Sequence, residues 1–160
     1  MEFLSPLRYP GGKAKVADFV QCLIKENALL DGTYVEPYVG GGSVALSLLF
    51  NEYVSDIYIN DKDISIYAFW YSVLNSTDAL CQLIKDTPIN VETWFKQKEF
   101  QQNKENRNVE ITRPQYSTGI SIFLISALVL GTNPLSNNPL PMTKSSIRLL
   151  SYSSSTIIPV

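Results

Sequence analysis

Apolar positions in the first hundred residues follow two periods. In GGKAKVADFVQCLIKEN, residues 11–27, Val16, Phe19, Val20, Leu23 and Ile24 recur at helical spacing and predict a helix. Asp31-Gly32 reads as a turn, and Thr33 to Val35, extendable to Val39, as a strand. Ser43 to Asn51, SVALSLLFN, predicts a buried helix that starts at glycines. Ile57 to Asn60 predicts a second strand, ending on carboxylates. ISIYAFWYSVLN, residues 64–75, predicts another helix, with Ile64, Ala68, Tyr71, Val73 and Leu74 near one face. Residues 78–86 and 91–102 predict two more, separated by Pro88. No repeat period is present.

Strand, helix, strand, helix is the opening of a parallel sheet in an α/β fold. Such sheets bind ligands beyond the carboxyl ends of their strands. Both predicted ends are polar. Glu36 precedes Gly40-Gly41-Gly42 at one, and Asn60-Asp61-Lys62-Asp63 closes the other.

The 160 residues suffice for one core, and 45% hydrophobic against 18% charged side chains marks a globular chain. A net charge of −2 and a pI near 5.1 give no overall attraction to nucleic acid or anionic membrane. There is no histidine, and the two cysteines, Cys22 and Cys81, lie far apart. Zinc and imidazole catalysis are thereby disfavoured, and a reducing cytoplasm is expected. No signal peptide is read at the N-terminus. Charge is uneven: residues 1–113 hold 11 basic and 15 acidic side chains, whereas residues 114–160 hold only Lys144 and Arg148. That tail carries ten serines, five prolines and the uncharged run GISIFLISALVLG, 119–131. The run is shorter than the roughly 20 residues a membrane span requires.

The glycine run is the sharpest chemical signal, because core packing alone gives no reason for three glycines in succession. Gly40 and Gly42 allow a sharp turn and close approach of a ligand, and the following helix offers free N–H donors. Asp61, at the next strand end, stands where an acid meets ribose hydroxyls. The bland alternative is a glycine-rich turn beside a solvated acid. Glu36-Pro37 before the loop would repel a pyrophosphate and suits a cofactor with a positive or amino-bearing end, such as S-adenosylmethionine. Ala45 at the third position of a dinucleotide fingerprint does not by itself exclude NAD. Lys13 begins a helix, where the macrodipole disfavours a cation, so it is expected to meet an anion.

LRYPGGK (7–13), VEPYVGGGSVAL (35–46) and YINDKD (58–63), in this order, resemble the DNA adenine-N6 methyltransferases of the Dam class. The resemblance covers residues 3–75 and extends to about 113. It implies a Rossmann-like S-adenosylmethionine-dependent methyltransferase fold, incomplete at the C-terminal end, that methylates adenine in double-stranded DNA. It implies that Tyr9 and Lys13 help to hold S-adenosylmethionine. The loop of Glu36, Pro37, Gly40 and Gly42 would cradle its methionine part, and Asp61 would meet its ribose. Tyr9 stands where many relatives carry tryptophan. No metal and no membrane contact are implied.

The family's chemistry lies in Asp-Pro-Pro-Tyr or a variant, whose acceptors engage the adenine amine while the ring stacks on the flipped base. The sequence contains no such motif; TNPLS (132–136) and NNPLP (137–141) read as turns. No catalytic residue is therefore assigned, and the chain alone is expected to be inactive. Read one nucleotide earlier, codons for FLISALVLG (123–131) can spell Phe-Leu-Asn-Gln-Arg-Thr-Ser-Ser-Gly, which resembles an asparagine- and arginine-bearing family segment. This reading expects a frameshift near residues 114–122, an apolar tail segment prone to aggregation, marginal stability, and a sheet lacking strands. The expected division is a cofactor-binding half (1–77), a helical start of the DNA-recognition region (78–113) and an atypical tail (114–160). Two other readings stand beside it: a nucleotide-dependent oxidoreductase domain, and a non-catalytic cofactor- or DNA-binding fragment that pairs with another chain. In WFKQKEFQQNKENRN (94–108), mixed charge favours a solvated face over phosphate contacts.

Overall fold

The computed structural model describes residues 5–7, 12–102 and 146–150. A 3₁₀ turn, Lys13–Val16, leads into α1, Ala17–Glu26. Then follow β1 (Gly32–Glu36), α2 (Ser43–Phe50), β2 (Val54–Ile59), α3 (Ile64–Asn75), α4 (Thr77–Asp86), α5 (Val91–Gln102) and β3 (Ile147–Leu149). The three strands form a parallel sheet in the order β1-β2-β3. The chain is therefore α/β, as its alternating periods predict.

Strand register decides which side chains enter the core. Tyr34, Ile57 and Ile147 stand in line across the sheet, as do Glu36, Ile59 and Leu149. Ile57, Ile59 and Ile147 join one apolar cluster with Ala17 and Ile24 of α1, Val44, Ala45, Leu46 and Leu48 of α2, and Ile66, Phe69 and Trp70 of α3. Leu80 and Ile84 of α4 enter the same cluster. The other sheet face carries Val35 and Arg148, both exposed, with Tyr58 between them and the Arg148 guanidinium 5.6 Å from the Tyr58 ring.

α2 lies between two adjacent parallel strands and packs on both. α3 is buried around most of its circumference, because Ser65 to Trp70 are all covered. Its face is thus wider than its predicted stripe. The predicted apolar face divides: Ile24 is buried and Val20 half-buried, while Val16, Phe19 and Leu23 are exposed, Phe19 with 61% of its surface, and Ala17, outside that face, is buried.

β3 is a strand that the sequence reading did not anticipate. Its Ile147 is buried against the core, and the N–H of Leu150 donates to the Ile59 carbonyl at 3.1 Å. Among the described residues, no helix is long and apolar enough to cross a membrane.

Candidate functional site

Beyond the carboxyl ends of β1 and β2 the chain turns twice on backbone that ordinary residues avoid. Gly40 has φ +50° and Gly42 has φ +72°, both left-handed, where glycine carries no Cβ penalty. Gly42 is also the N-cap of α2. A Cβ on Gly42 would stand 2.7 Å from Cζ2 of Trp70, closer than packed atoms come. Core packing therefore requires glycine at 42, one of the three, because the α3 indole occupies that space.

The loop is fastened from several elements. The Gly40 N–H donates to Oδ2 of Asp61 at 2.8 Å, and the Trp70 indole N–H donates to the Gly40 carbonyl at 2.9 Å. The Ser5 hydroxyl donates to the Gly41 carbonyl. The Gly42 N–H donates to the Val39 carbonyl at 2.8 Å. Beyond the two strands, pairing continues: the Asn60 N–H donates to the Glu36 carbonyl and the Val39 N–H to the Asn60 carbonyl.

Each carboxylate has a defined place. Glu36 points from β1 into the core face and is only 4% exposed. Its Oε2 accepts from the Ala45 N–H, in the first turn of α2, at 3.1 Å. A carboxylate there satisfies a donor that the helix cannot and meets the positive end of the macrodipole. Oε1 lies 2.5 Å from the Lys13 ammonium as an ion pair. Lys13 also donates to the Tyr38 carbonyl. The anion expected opposite Lys13 is thus the protein's own Glu36. This pairing neutralises Glu36, so its charge no longer argues strongly against a pyrophosphate. Burial, and then the Glu36 charge, push the Tyr34 phenol up to about 12.

Asp61 Oδ1 accepts from the Asp63 N–H at 2.9 Å, and Asp63 caps α3 by accepting from the Ser65 N–H at 2.8 Å. Asp61 so uses two of a carboxylate's roughly four acceptor positions. Asn60 contributes an unsatisfied atom: its Oδ1 is buried without a hydrogen bond. Such groups are few in folded proteins and ask for an explanation.

Of the residues singled out from sequence, Lys13, Glu36, Gly40, Gly42 and Asp61 converge at these strand ends. Pro37 is exposed directly after β1, where its missing N–H suits a strand end. Tyr9, TNPLS, NNPLP, Lys104 and Arg107 lie outside the described residues. On α5, Lys96 pairs with Glu92 at 2.7 Å and Lys98 sits 4.8 Å from the Trp94 ring, so both cations are engaged on their own helix.

Sequence reasoning missed Trp70, Asn60 and Ser5. Trp70 stands in an apolar helix 30 positions from its partner Gly40, and no local pattern reveals such a contact. Asn60 carried a weak signal, as a polar residue closing an apolar strand. Among the described residues, no cluster of side chains could hold a metal ion.

The sequence matches the family model described as D12 class N6 adenine-specific DNA methyltransferase over residues 9–132, and the chain belongs to that family. The match takes in Tyr9 and runs through 114–132, the first part of the stretch set apart above as tail. No curated protein matches the chain significantly.

Proposed function

We infer that this member of the D12 class binds S-adenosylmethionine at the glycine loop and forms the cofactor half of an adenine-N6 DNA methyltransferase. One observation carries the choice of cofactor. At neighbouring strand ends the buried Oδ1 of Asn60 lacks a hydrogen-bond donor, and Glu36 presents a buried carboxylate paired with Lys13. A ligand bringing an amino group supplies donors, whereas a pyrophosphate brings only acceptors. At this spot the residues therefore suit an amino group better than a pyrophosphate, and the family match supports the choice of S-adenosylmethionine.

In this reading Glu36 and Asn60 accept from the amino end, with Lys13 balancing the Glu36 charge and able to meet a carboxylate. Asp61 keeps acceptor capacity for ribose hydroxyls while it holds Gly40. Tyr9 and Pro37 complete the cradle by their positions in the motifs. The cofactor supplies a methyl group on a positively charged sulfur. The sheet is the opening of a Rossmann-like fold, with 78–113 beginning the DNA-recognition region, and double-stranded DNA in the cytoplasm is the partner.

Methyl transfer also requires groups that accept hydrogen bonds from the adenine amine, and this sequence contains no Asp-Pro-Pro-Tyr. We therefore expect binding of cofactor without turnover by the chain alone.

Calorimetric titration with S-adenosylmethionine, and separately with NAD, tests the reading. Saturable binding of the first is expected, weakened at least about tenfold in Asp61→Ala, as loss of a charged acceptor predicts. Binding of NAD with none of S-adenosylmethionine overturns it. Tritium transfer from labelled cofactor to duplex DNA would overturn the expectation of no turnover.

A further inference from the structure

We propose that Trp70 is the positioning residue of the cofactor loop, holding Gly40 to Gly42 in the shape that admits the ligand. The inference rests on the cofactor reading above and goes beyond the motifs, because Trp70 belongs to none of them.

The indole acts on the loop at two points. Its N–H donates to the Gly40 carbonyl at 2.9 Å, and its six-membered ring lies against Gly42, where a Cβ would come within 2.7 Å. Gly40 is thereby held on both sides of its Cα, since its N–H is taken by Asp61. Both glycines sit in left-handed conformations, which glycine permits without selecting. Something outside the loop must select them. The indole is suited to this because it is itself immobile: Trp70 is fully buried, and the Phe69 ring meets it edge-on at 5.5 Å between centroids. Asp61 precedes α3 and Trp70 lies within it, so the loop is fastened to this helix and to the segment leading into it.

This role differs from packing alone. A purely packed indole would be replaceable by any ring of similar size at a cost in stability only. A positioning indole needs its N–H, and without it the loop samples other shapes, so part of the binding energy is spent restoring one.

The test compares the full chain with Trp70→Phe and Leu80→Ala. Trp70→Phe keeps an aromatic ring and removes the donor. Leu80→Ala removes a buried side chain of α4, away from the loop, and sets the level for general destabilisation. Hydrogen exchange of residues 38–45 and calorimetric affinity for S-adenosylmethionine are read on all three. Faster loop exchange and about tenfold weaker binding are expected in Trp70→Phe, with neither in Leu80→Ala at matched stability. Equal exchange in the two variants overturns the proposal, as does faster loop exchange with unchanged affinity. If the unmodified chain binds no cofactor while its loop still depends on Trp70, the cofactor reading fails and the hold of Trp70 on the loop stands.

Discussion

At the carboxyl ends of β1 and β2 the backbone enters the left-handed region at Gly40 and Gly42, whereas near the amino ends of the same strands it does so at Ala28, Asp31 and Glu52. Ala28 and Glu52 each follow the C-cap of a helix. The N–H of Leu29 returns to the Ile24 carbonyl and that of Tyr53 to the Leu48 carbonyl, both at 2.9 Å. These are Schellman closures, and no close neighbour there forbids a side chain. The amino end even has a groove of about 480 Å³ bordered by Asp31, Glu52, Ser55 and Ser146. Neither the groove nor the left-handed backbone distinguishes the site. What distinguishes it is that Glu36 and Asp61 each accept from a backbone N–H and are held in place.

Gly42→Ala should open the largest gap between the two ends. The substitution adds a left-handed penalty of roughly 1–2 kcal/mol to overpacking of about 1–3 kcal/mol against an indole that cannot move aside. Urea unfolding should show a loss of about 3 kcal/mol. A loss below about 1 kcal/mol would mean that Trp70 yields, and that the loop is less tightly specified than its contacts indicate.

Glu36→Gln keeps the shape of the buried side chain while removing its charge. The first turn of α2 loses an anion and Lys13 loses its partner. Because the Lys13 side chain is 44% exposed, water compensates much of the second effect. A loss of about 1–2 kcal/mol is expected, and most of it comes from the helix end. Tyr34 provides an independent check. Its phenol is held at about 12 first by burial and then by the Glu36 charge, so in the variant it should ionise at lower pH. Comparing tyrosinate titrations of Glu36→Gln and the unmodified chain reads this directly. An unmoved Tyr34 would mean that the Glu36 charge is screened from its own strand.

The fold was legible in sequence wherever a pattern is local. α3 was legible to its observed bounds because apolar positions recur along it from Ile64 to Leu74. Both strands leading to the site were legible from short apolar runs that end on turn residues or acids. α1 was half legible: spacing found the helix, but only contact with α2 selects Ala17 and Ile24 over the larger Phe19 for burial. β3 was not legible, because three residues leave no period and its reason to be extended is a partner some ninety positions earlier. The site followed the same rule. Lys13 revealed by its awkward helix position that it needed an anion, but not that Glu36 was that anion. Trp70 gave no sign, since in a one-dimensional reading it is one more apolar residue in a buried helix.

Glu52→Gly should have the smallest effect and the opposite sign. Relief of the left-handed strain at φ +58° is worth roughly 1–2 kcal/mol, and the extra freedom of glycine in the unfolded chain costs about 0.5–1 kcal/mol. A net gain of about 0.5–1 kcal/mol is expected in urea unfolding, because the Glu52 side chain is exposed and its backbone bond to Leu49 survives. Affinity for S-adenosylmethionine should not change, since Glu52 lies at the other end of the sheet. Glycine is then favourable where the fold merely turns and indispensable where another side chain fills the space. If Glu52→Gly instead weakened cofactor binding, the two ends would be coupled through α2. The glutamate would then be retained at a left-handed position for a reason that helix closure does not supply.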